Sequence, residues 1–123
     1  MQLLLVMIGG ALGSGARFLT GRAMLAWLGP DFPYGTLAVN LVGGLLMGVL
    51  AGTLARTGAS EDWRVFVGVG LLGGFTTFSA FSLDLVTMIE RGAAAVAIGY
   101  ALLSVIGAAI ALLAGLTLAR SVA

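Results

Sequence analysis

The chain has 123 residues, of which 60% are hydrophobic and only 9% are charged, and its mean hydropathy is +1.15. A soluble domain has about 25% charged residues, so this chain has too few to cover a surface that faces water. It contains no cysteine and no histidine, which excludes disulfides, thiolate nucleophiles and the commonest transition-metal ligands. We therefore expect a single integral membrane domain over residues 1–123, with no nucleic-acid partner because no basic run is present.

Four apolar segments are long enough to cross a lipid bilayer as helices, for which about 20 residues are needed. They cover approximately residues 3–28, 35–54, 63–89 and 93–119. No positive residue precedes the first apolar run, so we expect a span there and not a cleaved signal peptide. Arg17 interrupts this first span and is expected near an interface or facing a water-filled cavity. The sequence thus predicts an all-α membrane protein with four transmembrane helices.

The third span contains the motif GLLGGFTTFSAF at residues 70–81, and the centre of this motif disfavours a helix. Glycine costs about 1 kcal/mol relative to alanine inside a helix, and β-branched threonine also disfavours it. We predict that the third helix is broken at mid-membrane near Gly73–Thr77, where unwound backbone must be buried in protein or line a polar cavity. The alternative is a continuous helix whose glycines only allow close packing.

Glycines recur at four-residue spacing in three of the predicted spans, which is typical of faces where helix backbones approach closely. These stripes are Gly9 and Gly13, then Gly44, Gly48 and Gly52, then Gly70 and Gly74. Four spans of this length enclose little space, so a twofold homodimer with its site at the interface is favoured over a lone pore.

The six arginines are almost equally divided between the two ends of the predicted spans. The side that holds the N-terminus has three, and the opposite side has two, or three if Arg17 is counted. The positive-inside rule depends on the difference between the two sides. We therefore expect the chain to insert in both orientations, which permits an antiparallel homodimer.

The polar side chains inside the spans are mostly neutral hydrogen-bond donors, and the acid Asp84 lies toward one end of the third span. Amide, hydroxyl and phenol groups donate hydrogen bonds, and aromatic rings have a positive edge. A path of such groups suits a small dehydrated anion, which neutral donors bind without trapping. Asn40 alone would indicate an interhelical hydrogen bond, and Phe78 with Phe81 alone would indicate packing. No nucleophile–base pair or carboxylate dyad is recognisable, so we expect no enzymatic activity.

Three motifs, in this order in a four-span chain, resemble those of the Fluc (CrcB) fluoride channels: GGALGSGARF, GTLAVNLVG and GLLGGFTTFSAF. The resemblance covers essentially the whole chain. It implies a dual-topology homodimer in the cell inner (plasma) membrane, with two antiparallel pores that export fluoride passively from the cytoplasm. It also implies a structural sodium ion (Na+) on the dimer axis.

The same resemblance implies roles for individual residues. Asn40 would be the pore asparagine, and Phe78 and Phe81 would be the aromatic pair that meets fluoride edge-on. The backbone carbonyls of Gly73 and Thr76 would bind the sodium ion. The remaining assignments are Thr36, Ser82, Tyr100 and Ser104 along the polar path, and Arg17 beside the aqueous vestibule.

Three positions depart from the family pattern. Ala80 stands where threonine is usual in the third-span motif, and Ala108 and Leu112 stand where some members have hydroxyls in the fourth span. These departures bear on the route beyond the phenylalanines and on the conduction rate.

Two other functions are compatible with a short four-span chain. A small multidrug exporter couples transport to protons through a membrane-embedded carboxylate, usually in the first span, where this sequence has none. A membrane scaffold that transports nothing would need the glycine stripes, but Asn40 and the phenylalanine pair would be superfluous.

Overall fold

The computed structural model describes residues 1–122 as a bundle of helices, and Ala123, the end of the predicted domain, lies outside the described residues. The first two spans are the helices α1 (Gln2–Leu28) and α2 (Tyr34–Thr57). The third span covers Glu61–Glu90, and the last one is the helix α5 (Ala94–Ser121). All four spans are long and apolar enough to cross a membrane. The predicted all-α architecture of a multi-pass membrane protein is therefore confirmed.

The third span consists of two helices, which we call α3 (residues 61–75) and α4 (Ser79–Glu90). The helix α3 begins as an α-helix, continues as a π-helix over Arg64–Leu72 and closes with the α-helical turn Gly73–Phe75. Thr76 is extended, with φ −83° and ψ 164°, and residues 76–78 are not helical. We call residues 76–78 the interruption. The π-helix has no counterpart in the sequence-based expectations.

Glycines bring the helices together at backbone distance. A Cβ atom placed on Gly9 of α1 would lie 2.6 Å from the carbonyl oxygen of Phe66 in α3. A Cβ placed on Gly44 of α2 would lie 2.8 Å from the carbonyl oxygen of Ala108 in α5. Both separations are shorter than normal Cβ contacts, so only glycine permits these approaches. The predicted role of the glycine stripes as helix contacts is confirmed for the α1–α3 and α2–α5 pairs.

A small buried cluster joins α4 to α5 near one end of the bundle. Phe81 and Met88 of α4 pack there with Ala97 and Tyr100 of α5, and Tyr100 is only 1% exposed. Many large apolar side chains on the outside of the bundle are exposed, among them Leu3, Trp27, Ile98 and Leu113. An apolar exterior around a small core is typical of helices that are surrounded by lipid.

Candidate functional site

Asn40 holds the interruption of the third span from the side of α2. Its Oδ1 accepts a hydrogen bond from the backbone N–H of Thr77 at 2.9 Å, and its Nδ2 donates to the carbonyl oxygen of Thr77 at 3.0 Å. Both backbone groups of Thr77 have left the helical ladder and need partners, because unpaired amides are costly away from water. The side chain of Asn40 supplies both partners.

The threonines of the interruption bind the two helices on either side of it. The hydroxyl of Thr76 donates to the carbonyl oxygen of Leu72 at 3.0 Å, back into α3. The hydroxyl of Thr77 accepts a hydrogen bond from the backbone N–H of Ala80 at 3.2 Å, in the first turn of α4. This is the way in which a capping threonine satisfies an N–H group at a helix start. The two threonines therefore stabilise the extended backbone that they also favour by their β-branching.

Arg17 of α1 binds the last turn of α3, directly before the interruption. Its Nε donates to the carbonyl oxygen of Gly74 at 3.1 Å, and the side chain is half-buried. Gly74 belongs to the last turn of α3, whose carbonyls have no partners further along a regular helix. A cation near a helix C-terminus is also favoured by the helix dipole.

The two phenylalanines of the motif lie side by side but differ strongly in exposure. Their ring centroids are 5.7 Å apart with an interplanar angle of 45°. Phe78 is 77% exposed, whereas Phe81 is 6% exposed and packs on the ring of Tyr100 at 5.1 Å. The ring of Phe78 is thus exposed, whereas the ring of Phe81 is held in place by its packing on Tyr100.

A groove of about 370 Å³ brings the predicted pore residues together between α2, the interruption, α4 and α5. We call it the central groove. At its wall, the hydroxyl of Ser104 is buried, and no hydrogen-bond partner for it lies in the described part of the chain. The groove is lined by Asn40, Gly43, Gly44, Met47, Thr76, Thr77, Phe78, Phe81, Ser104, Val105, Ala108 and Leu112.

A second groove of about 480 Å³ lies on the side of α1. We call it the arginine groove, because Arg17 and Arg22 both line it, together with Thr36 and Ala80. Thr77 lines both grooves. The interruption therefore separates an arginine-rich groove from an aromatic one.

The structure brings four of the predicted pore residues into the central groove: Asn40, Phe78, Phe81 and Ser104. The other three lie elsewhere. Thr36 lines the arginine groove, and the hydroxyl of Ser82 donates to the carbonyl oxygen of Phe78 in its own helix at 2.9 Å. Tyr100 is buried next to Phe81, and its hydroxyl donates to Oδ2 of Asp84 at 3.1 Å.

Two residues of the site were not predicted from the sequence. Thr77 is the partner of Asn40, and only its place in the Gly-Gly-Phe-Thr-Thr run indicated a role. Asp84 is the acceptor for Tyr100. The two residues are 16 positions apart, so no local sequence pattern indicates that they form a pair. Both pairings join residues of different helices, so they depend on the packing of the bundle.

Residues 4–116 match the family model described as "CrcB-like protein, Camphor Resistance (CrcB)". A relative from Mesorhizobium japonicum is 57% identical over 120 residues, which cover 98% of this chain and 97% of the relative. A relative from Phenylobacterium zucineum is 58% identical over 122 residues, covering 98% and 96%. Both relatives are named "Fluoride-specific ion channel FluC", which is the name of a transport protein and not of an enzyme. With its family model and its relatives matching over almost the entire sequence, the chain belongs to the CrcB-like family.

Proposed function

We propose that the chain forms a fluoride-selective channel that exports fluoride passively, and that the central groove is part of the ion path. One observation carries this proposal: the central groove is lined by the amide of Asn40, the rings of Phe78 and Phe81, and the buried hydroxyl of Ser104, which has no partner in the described residues. The residues that line this groove include no acid. Relatives that are more than half identical to this chain carry the name of a fluoride channel.

Each of these groups has hydrogen-bonding or electrostatic capacity to offer a small anion. A primary amide has two N–H bonds, and Asn40 uses one of them on Thr77, so the other is available. Ser104 has a hydroxyl with no partner in the described residues. The ring edges of Phe78 and Phe81 are positive, and the groove lies beside the N-terminal end of α4, where the helix dipole favours negative charge. These neutral groups replace water around the ion without holding it as a fixed charge would.

The path requires a second copy of the chain. Phe78 is 77% exposed beside a groove that is open on one side, so one chain encloses an ion only in part. A twofold homodimer closes such a groove with an identical surface. We propose an antiparallel homodimer in the cell inner membrane, because the arginines are divided almost equally between the two ends of the spans. The interruption then lies at mid-membrane.

The chain's backbone fits a monovalent cation on the axis of such a dimer. In the described residues, hydrogen bonds reach the carbonyls of Gly74 and Thr77, and none reaches those of Gly73 and Thr76. Two chains would together offer neutral oxygen ligands without a carboxylate, which suits Na+ better than Ca²⁺ or Mg²⁺. When bound, this structural sodium ion would supply positive charge close to both anion paths.

Fluoride efflux from liposomes that contain the purified protein tests the proposal. A fluoride electrode should record rapid efflux along the fluoride gradient when valinomycin carries potassium as the counter-ion, with no proton gradient needed. Chloride efflux from the same liposomes should stay at the level of protein-free liposomes. Absence of fluoride efflux would contradict a channel and favour a scaffold, and efflux that requires a proton gradient would favour an exporter.

A further inference from the structure

One face of α1 follows α3 up to the interruption. Gly9, Gly13 and Arg17 are spaced four residues apart, so they lie on the same face of α1. The two glycines bring this face against the backbone of α3, and a Cβ on Gly13 would lie 2.8 Å from the backbone nitrogen of Phe75. Arg17 is the next residue on that face, and it reaches the end of α3.

The contact of Arg17 is a hydrogen bond to one backbone atom in the last turn of α3. Its Nε lies 3.1 Å from the carbonyl oxygen of Gly74. One residue position beyond α3, Thr76 binds the carbonyl oxygen of Leu72 with both its backbone N–H and its hydroxyl, each at 3.0 Å. Arg17 therefore satisfies a carbonyl that the chain's own third span leaves free.

We infer that Arg17 is a positioning residue for the interruption, and that its Nε–H bond to Gly74, more than its charge, is what the ion path requires. Arg17 fixes the interruption on the α3 side, and Asn40 fixes it at Thr77. Between these two anchors lies the extended residue Thr76, so the direction of its carbonyl depends on both. The part of this inference that concerns fluoride rests on the proposed function, and the part that concerns the backbone does not.

Charge alone does not distinguish Arg17 in the arginine groove. Arg22 lines the same groove, and its guanidinium carbon lies 5.8 Å from the centroid of the Phe18 ring. No hydrogen bond from Arg22 to the backbone is present in the described structure. Arg22 therefore provides a matched control, since it has the same charge in the same groove without the contact to α3.

Three substitutions separate the hydrogen bond from the charge. In Arg17→Gln, the amide nitrogen stands the same number of bonds from Cα as Nε of arginine, so it donates to Gly74 without a charge. Arg17→Lys keeps the charge but places a methylene where Nε was. Arg17→Met removes both the donor and the charge. Arg22→Gln removes an equal charge from the groove and leaves the contact to Gly74 intact.

Two measurements are made on each variant in the purified full-length protein: fluoride efflux from liposomes, and hydrogen–deuterium exchange in peptides that cover residues 73–78. Loss of a hydrogen bond from a charged group corresponds to a change of about tenfold or more. We expect Arg17→Met and Arg17→Lys to slow efflux and to speed exchange at Thr76 and Thr77 by at least about tenfold. Arg17→Gln and Arg22→Gln should stay near the parent in both measurements.

The inference is overturned if Arg17→Lys behaves like the parent while Arg17→Gln fails, because charge would then be the requirement. It is also overturned if exchange at Thr76 and Thr77 is the same in Arg17→Met as in the parent. If the parent itself moves no fluoride, the proposed function fails, and the exchange measurements still decide whether Arg17 positions the backbone. If Arg17→Met does not fold in detergent, the exchange rates of Arg17→Lys and Arg17→Gln at Thr76 and Thr77 are compared with each other instead.

Discussion

The side chain of Asn40 forms two hydrogen bonds with the backbone of a single residue, Thr77, at 2.9 and 3.0 Å. A neighbouring β-strand would offer the same pair of partners, one acceptor and one donor. Asn40 thus supports a short extended segment inside a helical bundle whose described residues form no strand. Because this pairing uses only one of the two N–H bonds of the amide, the second N–H remains to donate into the proposed ion path.

Asn40→Asp should both abolish fluoride efflux and weaken the hydrogen bonding that holds the interruption. A carboxylate cannot donate to the Thr77 carbonyl, it repels that oxygen, and it repels an anion in the groove. We expect efflux to fall by more than about tenfold and exchange of the Thr77 N–H to accelerate. Dimers should persist in size-exclusion chromatography. Parent-like efflux from this variant would show that the ion path lies elsewhere.

Phe81→Ile should reduce efflux strongly at a small cost in stability. Isoleucine keeps apolar bulk between Phe78 and Tyr100 but has no positive ring edge. We expect a decrease in the efflux rate of about fivefold, since aromatic contacts of this kind contribute about 1 kcal/mol beyond burial. Phe66→Ile is the matched control, because Phe66 lines neither groove. Equal effects of the two substitutions would mean that packing, and not the ring edge, matters.

Ser104→Ala should change efflux and stability in opposite directions. The buried hydroxyl has no partner in the described chain, so its removal relieves an unpaired polar group, which costs about 1–3 kcal/mol. Thermal unfolding in detergent should therefore occur at the same temperature or higher. Efflux should fall several-fold, because the groove loses a donor. Thr117→Val serves as control, since that hydroxyl donates to the carbonyl of Leu113 in the same helix. A variant that is less stable and conducts normally would refute the role of Ser104.

Gly73→Val should separate folding from dimerisation. A Cβ on Gly73 would lie 3.6 Å from the carbonyl oxygen of Gly68, an ordinary contact, so a single chain has room for it. In the proposed dimer the same side chain crowds the carbonyls that bind the sodium ion. We expect helical monomers by light scattering, with loss of sodium binding and of the dimer. Thr76→Ser keeps the backbone carbonyl and the hydroxyl that binds Leu72, so it should be nearly silent. Intact dimers of Gly73→Val would contradict a cation site at this position.

Adding a pair of arginines after Arg120 should fix the orientation of the chain in the membrane. The parent has nearly equal numbers of arginines on the two sides, so a C-terminal reporter should be found on both. The extended chain should place that reporter on the cytoplasmic side only. A chain of one fixed orientation should form no antiparallel dimer and should conduct no fluoride on its own. Co-expression with a second variant, whose added arginines fix the opposite orientation, should restore efflux if the dimer is antiparallel. A reporter confined to one side in the parent would contradict dual insertion.

The spans and glycine contacts were predictable because both are strong local signals. Long apolar runs fix the helices, and glycine at four-residue spacing marks a face that another backbone can approach. The partner of a polar group is a different matter. Tyr100 was expected to donate into the ion path, yet its hydroxyl binds Asp84 from another helix. Sequence alone does not say which acceptor lies nearest once α4 and α5 have packed together.

Ser82 and the π-helix show two further limits. The hydroxyl of Ser82 bonds to the carbonyl four residues earlier, which is the general tendency of serine in membrane helices, although the residue's place in the motif favoured a role in the path. The π-helix Arg64–Leu72 packs against α1 and contains no proline. A π-helix is rare and depends on the surrounding contacts, so residue preferences do not predict it.

The glycine contact between α1 and α3 has a consequence for how ions cross the membrane. Transporters that alternate between two openings slide packed helices past one another or bend at a hinge. Here Gly9 and Gly13 place two backbones in direct contact, and Arg17 and Asn40 fasten the segment that follows. In the proposed channel, the interruption, whose residues line the central groove, is therefore held in place by these contacts while the ion moves past it. For a channel with such a fixed segment, we expect the removal of water from fluoride to limit the rate, so the efflux rate should rise with temperature only as steeply as that step requires.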